Sequence, residues 1–95
     1  MFEAVDWTHG AQHMQENHQT TAAEATEALA DHERVVIEPD YNSKSGRTVR
    51  IIGYSVTAGT LLSIIVLEDA GIVYGVNGWR SNAKDQQIYK QGWIK

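Results

Sequence analysis

Apolar residues follow two different rhythms along this chain. Between residues 8 and 31 they recur three or four positions apart; from residue 34 to 76 they gather in short β-branched runs broken by turn residues. In THGAQHMQENHQ, Ala11, Met14 and His18 fall on one side of a weak helix. Trp7 stands ahead of it as a staple, and Gly10 costs about 1 kcal/mol of helix propensity. TAAEATEALA is a stronger signal. Thr21 followed by Glu24 forms a capping box, which predicts a helix over about residues 22–31. Its apolar face is only Ala22, Ala25, Ala28 and Leu29, so this helix must lie close against something flat.

RVVIE, RTVRIIGYS, LLSIIVLE and GIVYGV read as four strands. Pro39 ends the first, PDYNSKSG is a loop, and TAGT and EDAG are tight turns. Strands joined by such short turns must be antiparallel neighbours, because a parallel return needs a crossover of about a dozen residues. LLSIIVLE, the most apolar run, belongs at the centre. The last strand is expected to stop at Gly78, so that Trp79 and Arg80 emerge at the sheet edge. A polar closing helix follows, with Arg80 and Lys84 on one face and only Ile88 and Tyr89 holding it down. The expected fold is α+β in two layers: two N-terminal helices, a four-stranded antiparallel β-meander and a C-terminal helix, all in one domain over residues 1–95.

Charge changes this picture more than size does. The net charge of −4 conceals −8 over residues 1–40 and +4 over residues 41–95. Such a split suggests an anionic partner for the second half, although the acidic first half disfavours duplex DNA. The chain has no cysteine, hence no disulfide framework and no thiolate metal site. No apolar run reaches the roughly 18 residues that span a bilayer, and MFEAVDWTHG lacks the features of a signal peptide. A cytoplasmic protein with no membrane association is the expectation.

All four histidines (His9, His13, His18 and His32) lie in the acidic half. His9 and His13 would share a helical face, but HGAQH lacks the glutamate of a zincin, and a third ligand would have to come from Glu16 or His18. No phosphate-binding glycine loop and no nucleophile elbow is present, so neither metal nor cofactor is expected. In the basic half, Lys44, Arg47, Arg50, Arg80 and Lys84 alternate with Tyr74 and Trp79. Bases interleaved with aromatics suit a phosphate backbone and an unpaired nucleobase. Plainer roles stay open beside that one: Trp79 as packing at the sheet edge, Arg80 and Lys84 as a solvated face, Asn82 with Asp85 as a helix cap, and Tyr89 docked on the sheet.

In order along the chain, DWTHGAQHMQENHQTT, AAEATEALADHERVVIEPD, GRTVRIIGYSVTAGTLLSIIVLEDAGIVYGV and GWRSNAKDQQIY together resemble the BrnT group of the RelE/ParE toxin superfamily. The resemblance covers roughly residues 6–92. It implies a RelE-like fold and a toxin of a type II toxin–antitoxin system, a metal-independent endoribonuclease that inhibits translation by cutting mRNA, on the ribosome or off it. The implied partner is a cognate antitoxin of ribbon-helix-helix type, through which alone the toxin meets DNA.

By the same resemblance, Arg47 or Arg50 matches the strand arginine, Arg80 a closing basic residue, Asp85 the acid and Tyr89 the tyrosine. Read beside the interleaved bases and aromatics, these join Lys84 as the candidate catalytic set, with Lys44, Tyr74 and Trp79 as the candidate RNA-binding set. Trp79 and Gln86 stand where many members carry arginine, which points to slow cleavage. Because the basic half has no histidine, proton transfer is expected from a perturbed lysine, tyrosine or aspartate. The alternative function is a catalytically weak or inactive RelE-like module that binds another protein.

Overall fold

The computed structural model describes residues 4–92. Its elements run α1 (Ala11–His18), α2 (Ala22–Leu29), β1 (Val35–Ile37), β2 (Thr48–Ser55), β3 (Thr60–Asp69), β4 (Ile72–Arg80) and α3 (Ala83–Gln91). The strands form one antiparallel sheet in the order β1-β2-β3-β4, so each pairs with its neighbour in sequence. This is the α+β meander that the short turns require. No helix among the described residues is long and apolar enough to cross a membrane.

Thr21 caps α2 as its spacing implies. Its hydroxyl accepts from the Glu24 amide, and the Glu24 carboxylate accepts from the Thr21 amide. The alanine face of α2 does lie close on the sheet. Ala25, Ala28 and Leu29 pack with Met14 of α1 against Ile51, Leu62, Ile64 and Val66. Gly53 makes the approach possible: a Cβ there would stand 2.0 Å from the Ala28 carbonyl oxygen. Gly75 does the same for the indole of Trp7, whose Cε3 would lie 2.2 Å from an added Cβ.

The sheet is covered on both sides, where two layers were expected. Successive strand residues point to opposite faces. Ile51 therefore meets α1 and α2, while Ile52 turns the other way and joins Val35, Ile37, Tyr41 and the α3 residues Ile88 and Tyr89. Two other boundaries also differ. β4 does not stop at Gly78, because Trp79 pairs with Ser63 and Arg80 with Leu62. α3 starts only at Ala83, so Arg80 is a strand residue and does not share a helical face with Lys84. The residues before α1 add a short parallel bridge to β4: the Asp6 amide donates to the Val73 carbonyl at 2.8 Å, and the Gly75 amide to the Asp6 carbonyl at 2.8 Å. Since α1 begins at Ala11, His9 lies outside it and shares no helical face with His13.

Candidate functional site

On the α3 side, strand alternation points Arg50 inward beside Ile52 and Ser63, into a layer that would otherwise be apolar. Its guanidinium is only 2% exposed. Nε donates to Asp40 Oδ1 at 2.7 Å, and one terminal nitrogen donates to Asp85 Oδ2 at 2.6 Å and to the Tyr41 hydroxyl at 2.9 Å. Asp85 is fully buried. It also accepts from the Tyr41 hydroxyl and from Ser63 Oγ at 2.6 Å. Ser63 has a single hydroxyl proton and gives it to Asp85, so Ser81 is the donor in the 2.8 Å contact between the two serines.

Buried ions are tolerated only when paired and hydrogen-bonded. Burial works against the Asp85 carboxylate, but hydrogen bonds from Ser63, Tyr41 and Arg50 outweigh it and hold its pKa below the usual value. Burial likewise opposes the charge on Arg50, and the bonds to Asp40 and Asp85 more than restore it. Burial and the bond to Asp85 push the Tyr41 phenol up to about 12. Two cations lie over the Tyr41 ring, with Arg50 Cζ 4.2 Å and Lys84 Nζ 4.0 Å from its centroid.

Trp79 continues this cluster to the surface. Its half-buried indole has Arg50 Cζ 5.3 Å from its centroid and the His18 ring 5.5 Å away, centroid to centroid. His18, Trp79 and Arg80 together line a shallow, open depression. His18 arrives from the end of α1, four residues past buried Met14 and so on the same side of the helix. Its ring nitrogens make no hydrogen bond to another described residue. The Arg80 guanidinium is exposed and makes a long 3.4 Å bond to the Ala58 carbonyl.

The proposed residues thus fall into separate groups. Arg50, Lys84 and Asp85 come together around Tyr41, with Trp79 beside Arg50 and Arg80 next to Trp79. Arg47 sits just before β2 in an exposed 3.5 Å ion pair with Asp69. Tyr74 lies at the same end of the sheet, its ring 6.3 Å from that of His9. That end is separated from the Arg80 end by the run from Leu67 to Leu62 along β3, roughly 17 Å of extended chain. Tyr89 turns to a third place and donates to Asp31 Oδ2 at 2.6 Å; burial and this bond push its phenol up to about 12. Lys44 is exposed in the β1–β2 loop. Asn82 caps α3 by accepting from the Asp85 amide at 2.9 Å.

Sequence reasoning missed Asp40, Tyr41, Ser63 and Ser81, and weighed His18 as a third metal ligand rather than as a neighbour of Trp79. Ser63 and Arg50 carried a signal, since each interrupts an apolar strand and must find a polar partner once buried. No group of three His, Asp or Glu among the described residues is placed to hold a metal ion. Neither a comparison with protein-family models nor one with curated proteins returns a match.

Proposed function

We propose that this chain is a toxin of the RelE/ParE type, resembling the BrnT group. In this reading it is a metal-independent endoribonuclease that acts on mRNA in the cytoplasm and is neutralised by a ribbon-helix-helix antitoxin. The observation that carries the reading is the exposed Arg80 beside the Trp79 indole at the end of β4; a second cation, Lys84 of α3, lies over the Tyr41 ring of the adjoining cluster. An indole can stack an unpaired base, and the cations can stabilise the extra negative charge of a pentacoordinate phosphate. The α-α-β-β-β-β-α order supports the reading as well.

Arg50 and Asp85 take different parts from the one their positions suggested. Being sealed, they position rather than react: Arg50 backs the Trp79 ring, and Asp85 fixes the first turn of α3, which carries Lys84. The test is cleavage of purified mRNA, with and without ribosomes, by the wild type, Arg80→Ala and Trp79→Ala. Cleavage by the wild type and a loss of tenfold or more in each variant is expected. Equal activity in all three removes this edge from the site.

The sequestration of Arg50 and Asp85 favours a second reading, a protein-binding module without catalysis, since two implied reactive groups cannot reach RNA. Under that reading expression leaves growth normal and purified RNA intact.

A further inference from the structure

The depression that holds Trp79 and Arg80 is lined by one further side chain, the imidazole of His18, which comes from the opposite end of the chain. We infer that His18 is the proton-transfer residue of this site, an inference that rests on the endoribonuclease reading above. Three observations carry it. The His18 ring lies 5.5 Å from the Trp79 ring, centroid to centroid. It lines the same depression as Arg80, the nearest exposed cation there. Its ring nitrogens have no hydrogen-bond partner among the described residues, so one of them is open to a substrate hydroxyl.

The tyrosines are poorer candidates. Tyr89 is bound to Asp31 and Tyr41 to Asp85, and both phenols are driven to about 12, far from what a base at neutral pH needs. Asp85 is fully buried. His18 alone in this cluster combines access with imidazole chemistry. The groups that face it are His13 on α1, at 6.2 Å between ring centroids, and Trp79 and Arg80 on β4.

The reaction balances without a cofactor. An unprotonated His18 nitrogen takes the proton of the ribose 2′-hydroxyl, and the 2′-oxygen forms a bond to the adjacent phosphorus. The bond from phosphorus to the 5′-oxygen breaks, and that oxygen takes a proton from water. The imidazolium then returns its proton to the hydroxide so formed. The products are a 2′,3′-cyclic phosphate and a free 5′-hydroxyl, and Arg80 neutralises the phosphate charge in between.

The experiment compares wild type, His18→Gln, His18→Gly and His13→Gln on one single-stranded RNA, in the ribosome condition under which the wild type cuts. Circular dichroism checks that each is folded. Cleavage by His18→Gln should fall about 10²–10⁴-fold, the usual range for losing a general base, while RNA affinity stays within about threefold. Added imidazole should restore cleavage to His18→Gly. His13→Gln should match the wild type. Full cleavage by folded His18→Gln, or no rescue of His18→Gly by imidazole, overturns the role of His18 and leaves the ribonuclease reading standing. No cleavage by the wild type in any condition overturns both.

Discussion

Arg50 and Asp85 meet at 2.6 Å across the boundary between β2 and α3, and neither reaches solvent. This contact joins a strand of the sheet to a helix that has little else to bury; α3 otherwise contributes only half-buried Ile88 and Tyr89 to the core. Removing Asp85 leaves Arg50 with Asp40 alone and takes the acceptor from Tyr41 and Ser63, and breaking a buried pair costs about 3–5 kcal/mol in comparable cases. Asp85→Ala should therefore lower stability by about that amount in urea unfolding. Arg47→Ala, which breaks an exposed pair, should change it by less than about 0.5 kcal/mol.

The same network sets a response to acid. Asp85 is held below its ordinary pKa, so its contribution is complete above the unfolded value of about 3.9 and is lost as pH falls through the lower folded value. Asp31 is also depressed: burial opposes its charge, but bonds from Tyr89 and the Glu33 and Tyr54 amides prevail. Thermal melts should fall steeply below about pH 4. In Asp85→Asn that acid-dependent part should shrink. An unchanged slope in this variant would show that Asp85 is not the group titrating.

Alkali should act through the tyrosines. Tyr41 and Tyr89 have folded values raised to about 12 from an ordinary 10, so the stability they lend is whole below pH 10 and is lost as pH rises toward 12. Absorbance at the phenolate wavelength should show two of the tyrosines titrating late, together with unfolding. Tyr41→Phe should remove one of them.

Close packing of α2 gives a test independent of charge. A methyl at Gly53 would meet the Ala28 carbonyl oxygen at 2.0 Å, and that atom is backbone, not a side chain able to swing aside. Gly53→Ala should cost at least about 1–3 kcal/mol, the usual range for overpacking. Gly59→Ala tests a different cause, since a Cβ there meets nothing within 4 Å but the residue sits at φ +70°, a conformation that alanine adopts with strain.

These contrasts show what was legible in the chain. The Thr21–Glu24 cap, the β-branched runs and the short turns are local signals, and the meander follows from them. Gly78 looked like a strand end only because glycine weakens a strand. In the fold its lack of a side chain leaves room for Met14 Sδ, which would lie 2.8 Å from a Cβ there, so the strand runs on through Trp79 and Arg80. The partners of Arg50 could not be read, because Asp40 and Asp85 stand 10 and 35 positions away and meet it only after the sheet pairs and α3 docks. His18 was hidden in the same manner. It belongs to the acidic half by sequence and to the basic edge by position.

The docking of α1 on β4 has a consequence for how the protein is made. Residues 11–18 leave the ribosome long before residues 72–80, and the intervening hairpins can close while the first helix still waits for its surface. His18 and Trp79 therefore come together only once β4 has emerged. A nascent chain cut short before β4 would carry the imidazole without the indole, so whatever chemistry the two support is withheld until β4 has been made.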